Sequence, residues 1–233
     1  MRLRQRSFDL DNGQQVSGVV ALPERAAPGG TAVILGHGAG NDMTSPFMCA
    51  AHEGLAQRGV TAVKFNFPYK ERGGKAPDPA PVLEKCWARV IDSIRADDEI
   101  GARRIVIGGK SMGGRMASHV AAQGADVAGL VFLGYPLHPP GKTDQLRVAH
   151  LSKITAPMLF FAGTRDSLCN LDLLKATIAK LKAPITLHVI DGGDHSFKVL
   201  KSLKRQDAEV LDEILDVTAD WLKKIDKPAS KTK

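Results

Sequence analysis

Gly109-Lys110-Ser111-Met112-Gly113 sets a serine between glycines two residues to either side. Glycines at those places let a chain turn sharply from a strand into a helix, because a side chain there would collide with neighbouring backbone. A serine on such a turn projects its hydroxyl beyond the sheet, where it can act as a nucleophile. Near neutral pH that hydroxyl is a weak nucleophile. It needs a base to take its proton, and the base needs an acid to fix its tautomer. Two later segments supply those groups in the order acid, then histidine: Gly163-Thr164-Arg165-Asp166 and Asp191-Gly192-Gly193-Asp194-His195. The chemistry they could perform together is acyl transfer. Ser111 would attack a carbonyl, His195 would carry its proton to the leaving group, and Asp166 would hold the imidazole. The developing oxyanion needs fixed donors. The backbone N–H of Met112 is one candidate. The turn His37-Gly38-Ala39-Gly40 offers the other, with Ala39 favoured and Gly38 second.

The serine pattern alone carries little weight. With 23 Gly in 233 residues, roughly 0.1 matches arise by chance. Each residue also has an ordinary role to weigh: Ser111 as a helix N-cap, Asp166 as a cap for the helix that follows, His195 as a plain loop residue. Asp172, inside that helix, is a poor substitute for Asp166. His52 and His119 fall in expected helices and His188 in a strand, so structural roles are expected for them. His52-Glu53 is not a zinc motif, since Ala56 stands where the second histidine would be. His138 and His150 flank a loop segment, and surface placement is expected. Gly36-x-Gly38-x-Gly40 fails as a dinucleotide fingerprint. Position 41 is Asn41 rather than glycine, and the next strand ends in Lys64-Phe65-Asn66-Phe67 with no acid for a ribose. No cofactor and no metal is therefore expected. Lys110, Arg115 and Arg165 lie beside the proposed nucleophile and acid and could meet an anionic substrate. Arg115 is equally placed to pair with an acid beneath the sheet.

The elements that must position these residues can be read from hydrophobic patterning. Residues 7–10 and 15–21 read as two strands joined by Asp11-Asn12-Gly13, a hairpin turn signal. Short, continuous apolar runs follow at residues 31–35, 60–65, 104–107, 127–133, 158–162 and 185–190. Helical segments separate most of them: residues 46–58, 82–96, 111–123 and 171–181. A final helix over 207–224 places Val210, Ile214, Val217 and Trp221 on one face. Residues 66–81 read as a loop. Continuous rather than alternating apolar strands are buried on both faces, which implies a mostly parallel sheet covered by helices. Ser111, Asp166 and His195 each follow one of those strands. About two dozen residues separate the 127–133 and 158–162 strands, too few for a large cap domain, so an open site is expected.

Bulk properties bound the rest. The length suits a single domain over residues 1–233. No apolar stretch is long enough to span a membrane, and the basic N-terminus lacks the apolar core of a secretory signal. Three widely spaced cysteines, Cys49, Cys86 and Cys169, fit a reducing cytoplasm. The net charge of +7 is confined to the ends. Residues 1–6 hold three Arg and no acid, residues 223–233 hold five Lys and one Asp, and residues 7–222 hold 24 basic and 24 acidic groups. That reads as two short basic tails rather than a nucleic-acid groove.

Three segments resemble the α/β-hydrolase superfamily: Gly36–Met43 with Pro46-Phe47-Met48, Gly108–Arg115, and Asp191–Phe197. Among its branches the chain is similar to the dienelactone-hydrolase-like one, and within it to the family of testis-expressed and NSL-complex-subunit hydrolase-like proteins. The resemblance implies an α/β-hydrolase fold with a mostly parallel central sheet of about eight strands, and a Ser111–Asp166–His195 triad. Dienelactone hydrolases use cysteine where this chain has Ser111, so their substrate does not carry over. The expected activity is hydrolysis of a small-molecule carboxylic ester or thioester through an acyl-serine intermediate, with no nucleic acid or membrane partner. An inactive scaffold that binds other proteins is the alternative, and a small peptidase is a weaker third reading.

Overall fold

A computed structural model describes residues 1–11, 13–24 and 30–226. Eight strands form one sheet in the order β1-β2-β4-β3-β5-β6-β7-β8. These are β1 (Arg2–Asp9), β2 (Gln15–Leu22), β3 (Thr31–Gly36), β4 (Thr61–Phe65), β5 (Arg104–Lys110), β6 (Gly129–Leu133), β7 (Met158–Gly163) and β8 (Ile185–Ile190). β1, β2 and β4 pair antiparallel, and every pairing from β4 to β8 is parallel.

The continuous apolar runs behave as strands covered on both sides. Along β3, Ala32 and Ile34 point into one core while Val33 and Leu35 point into the other, and all four are at most 1% exposed. The first core is covered by α3 (Ala80–Arg95), α4 (Met112–Ala122) and α5 (Leu171–Ile178). Trp87 of α3 lies there with Phe65 of β4, their ring centroids 4.8 Å apart in an edge-to-face arrangement. The second core is covered by α1 (Pro46–Gln57) and α6 (Asp207–Asp226). Met48, Ala51 and Leu55 meet Val210, Ile214, Leu215, Trp221 and Leu222 on this side. The 3.6-residue apolar stripe of α6 is the sequence cause of that packing. A four-residue helix, α2 (Pro68–Glu71), lies within the segment expected to be a loop. Its Glu71 accepts from the Ser17 backbone N–H at 3.0 Å.

The basic N-terminus differs from expectation. Residues 2–6 are not a tail but the first part of β1, in register with residues 18–22 of β2. Arg6 pairs with Asp97 at 2.9 Å and with Glu99 at 2.6 Å, and Arg4 with Glu99 at 3.1 Å. Exposed charge along an edge strand also blocks pairing with a second sheet. At the other end, α6 carries Lys223 and Lys224 in its last turn and runs to Asp226, and residues 227–233 of that basic segment lie outside the described residues.

Between β6 and β7, residues 134–157 hold only a short 3-10 turn, Ala149–Lys153. No separate cap covers the ends of the strands. Among the described residues no helix is long and apolar enough to cross a membrane.

Candidate active site

The turn from β5 into α4 is strained. Ser111 has φ 50° and ψ −113°, a region that non-glycine residues avoid. Close packing of three backbones enforces it. A Cβ on Gly109 or on Gly113 would stand 2.1 Å from the Gly36 carbonyl oxygen at the end of β3. Glycine is therefore required at both places, for the reason the spacing suggested. The Ser111 N–H donates to the Leu133 carbonyl at 3.2 Å, which pins the turn to β6.

The strand ends bring the three expected residues together. The Ser111 hydroxyl and His195 Nε2 lie 2.8 Å apart. His195 Nδ1 lies 2.8 Å from Asp166 Oδ2 and 3.0 Å from Oδ1. The ordinary roles are filled otherwise. Ser111 makes no side-chain cap on α4. Asn170, not Asp166, caps α5, accepting from Asp172 and Leu173 at 3.1 and 3.0 Å. Asp166 instead accepts from the Leu168 N–H at 2.8 Å, and its side chain is fully buried. A buried carboxylate facing an imidazole fixes the proton on Nδ1 and leaves Nε2 free to accept from the serine.

Lys110 and Arg165 hold the histidine and its loop, and His138 holds the acid loop. Lys110 donates to the His195 carbonyl at 2.5 Å and lies over the Phe197 ring, 5.4 Å from its centroid. Burial pushes the Lys110 ammonium down to about 8, against the pull of the Asp166 and Asp194 carboxylates. Arg165 donates to the Gly192 carbonyl at 3.3 Å from its side chain and to the Gly193 carbonyl at 2.9 Å from its backbone. His138 locks the acid loop. It is 2% exposed, its Nδ1 donates to the Pro139 carbonyl at 2.9 Å, and its Nε2 accepts from the Asn170 N–H at 3.1 Å. The surface placement expected for His138 is therefore wrong. His150 is also drawn in, 2.7 Å from the Ser118 hydroxyl and packed on the His119 ring. No pattern in the sequence marks the contacts to Asn170, Ser118 and His119, because the fold alone brings those residues to the 134–157 segment.

His37 organises the opposite wall. It is fully buried, and burial pushes it down to about 4, so it is neutral near pH 7. Its Nε2 accepts from the Phe67 N–H at 3.1 Å, and its Nδ1 donates to the Gly38 carbonyl at 2.9 Å. That bond fixes the peptide plane carrying the Ala39 N–H. Gly38 lies against Ser111: a Cβ built on it would be 3.6 Å from Ser111 Cβ. Met112 opens α4, so its N–H is one of the unpaired donors of a helix N-terminus. Arg115 turns elsewhere. Among the described residues it forms no ion pair, and its buried Nε has no partner. Burial and the neighbouring Arg147 charge hold its guanidinium below the usual range. Among the described residues no acid forms an ion pair with it, although the Glu84 charge acts on it from a distance.

Solved structures share this architecture. An α/β serine hydrolase homologue from Coxiella burnetii is 19% identical, with a TM-score of 0.74 over 94% of this chain and 97% of that one. A dienelactone hydrolase from Anabaena variabilis is 18% identical, with a TM-score of 0.75 over 96% and 97%. A lidless serine hydrolase from Xanthomonas campestris is 18% identical, with a TM-score of 0.72 over 95% of each. At these identities the likeness is one of fold. The sequence model of the alpha/beta hydrolase domain matches residues 29–223, and the chain belongs to that family.

Proposed function

We propose that the protein is a serine hydrolase that cleaves a carboxylic ester or thioester through an acyl-serine intermediate. The observation that carries this reading is the continuous chain of contacts from the Ser111 hydroxyl through both ring nitrogens of His195 to the buried Asp166 carboxylate. In the forward step Ser111 Oγ attacks the carbonyl carbon while His195 Nε2 takes its proton. The C–O or C–S bond to the leaving group then breaks, and His195 returns the proton to the departing atom. Water repeats the sequence on the acyl-serine and releases the acid. The Met112 N–H and an N–H from Gly38 or Ala39 would receive the oxyanion, with His37 acting as the positioning residue for that turn. Lys110 and Arg165 serve to hold the histidine loop rather than to meet substrate charge.

The segments around Gly36, Ser111 and His195 also support a place in the dienelactone-hydrolase-like branch, near the testis-expressed and NSL-complex-subunit proteins. The three unpaired cysteines support a reducing compartment such as the cytoplasm. A series of p-nitrophenyl esters and acyl thioesters, read as kcat/KM, tests the activity. Turnover that Ser111→Ala abolishes is expected. Turnover that survives Ser111→Ala, or none on any member, contradicts it.

A further inference from the structure

A groove of about 570 Å3 runs from the nucleophile turn between α1 and α6. Gly38 and Lys110 form its inner end, so it opens beside Ser111. Its lining is mainly apolar, from Phe47, Met48, Phe197, Val210, Leu211 and Ile214, with Asn41, Ser45 and Ser196 as its uncharged polar members. Phe47 and Phe197 stack across it with centroids 6.1 Å apart and planes 30° apart. Its volume falls in the range of small-molecule sites.

Two facts decide what chemistry it suits. The cation at its inner end is committed, since the Lys110 ammonium is bound to the His195 carbonyl and faces the Phe197 ring. The charges at its rim, Lys198 and Asp207, are exposed and opposite in sign, so they create no net field for an ion. An anionic group would find the Lys198 ammonium only at the exposed rim, offset by Asp207, and hydroxyl or amide groups from Asn41, Ser45 and Ser196. A neutral hydrocarbon would find six apolar side chains. The leaving group must depart past His195 Nε2, and water must enter by the same route, so that side has to open to solvent. A groove walled by two helices suits the group that stays attached to Ser111 until deacylation.

Resting on the hydrolase reading above, we infer that this groove is the acyl site, and that the substrate is an ester or thioester of an unbranched apolar acyl group well beyond acetyl in length. Lys110, Arg115 and Arg165 then select nothing in the acyl group.

The test is a homologous series of p-nitrophenyl esters from acetyl to dodecanoyl, read as kcat/KM. Burying one methylene is worth at most about fourfold, and a part-open groove delivers less. A rise of roughly two- to fourfold per methylene through octanoyl, followed by a plateau, is expected. Leu211→Trp, at a half-buried position, should fill the groove and lower the octanoyl-to-acetyl ratio at least tenfold. Ala208→Phe, at an exposed position on the same rim, makes the same comparison should Leu211→Trp fail to fold. Binding of octanoate and butyrate to Ser111→Ala, followed by calorimetry, reads the groove without turnover, and octanoate should bind more tightly. Ser111-dependent turnover with a flat or falling acyl profile overturns the acyl-site assignment and leaves the hydrolase reading standing. No Ser111-dependent turnover, with octanoate still favoured over butyrate and that preference lost in Leu211→Trp, overturns the hydrolase reading and leaves an apolar ligand site.

Discussion

The two ends of the parallel strands carry polar groups in opposite ways. At the starts of β3 and β5, Arg104 pairs with Asp226 at 3.3 Å and Thr31 donates to the same carboxylate at 2.9 Å. Those ionic side chains are 36% and 41% exposed, so water competes for each. Asp226 and Thr31 border a cleft of about 190 Å3 that also includes Arg58 and Thr61. At the other end Asp166 is fully buried, Ser111 occupies a strained conformation, and His37 is sealed from solvent. An exposed ion pair is worth about 0–1 kcal/mol and can be moved at little cost. A strained serine alone costs about 1–3 kcal/mol and persists only where surrounding structure enforces it. A cleft with charged walls is thus poor testimony for function, whereas a buried, strained and fully partnered cluster is strong testimony.

The sharpest way to break that contrast is to remove one charge from each end. Asp166→Asn should lower kcat by about 10⁴-fold, through loss of the correct histidine tautomer, with the fold intact. A fall below tenfold in steady-state kinetics would mean that Asp166 does not orient His195. A second difference concerns pH. Burial pushes both His37 and His52 down to about 4. In the unfolded chain histidine titrates near 6.5, so below that pH the unfolded state takes up protons that the folded state refuses. Stability should therefore be level above pH 7 and fall as pH drops from about 6.5 toward about 4, by an amount on the order of a few kcal/mol. Thermal midpoints across that window check this, and a flat profile would contradict the sealed environment.

Lys110→Met keeps the aliphatic stem and removes the bond to the His195 carbonyl. We expect kcat to fall about tenfold with KM little changed, as for a misplaced catalytic group. Lys110→Arg should recover part of the loss. The smallest effect belongs to the opposite end. Arg104→Ala should cost less than about 1 kcal/mol by denaturant unfolding and leave kcat/KM unaltered. A large loss of activity there would erase the distinction between the two ends.

Much of the site could be read before the structure. Ser111, Asp166 and His195 lie at strand ends, and strand ends are visible as the close of short apolar runs. The two-residue spacing of Gly109 and Gly113 around Ser111 was equally legible, because steric exclusion by Gly36 leaves a mark in the sequence. Three features were not. The segment at residues 2–6 looked like a basic tail because its arginines find their acids about 90 residues away, at Asp97 and Glu99. His138 looked like a surface residue because one of its two partners, Asn170, follows a different strand. The helix α2 begins at Pro68 and is too short to show periodicity. Contacts that close across the fold leave no local pattern, and local pattern is what a single sequence displays.

The account stands or falls on whether Ser111 is an activated nucleophile. A fluorophosphonate reagent reacts covalently with such serines, and mass spectrometry of the intact protein and its peptides locates the adduct. One adduct on Ser111, absent from Ser111→Ala and strongly slowed in Asp166→Asn, is the predicted result. Folded native protein that takes up no label, or takes it up on another serine, would contradict the account.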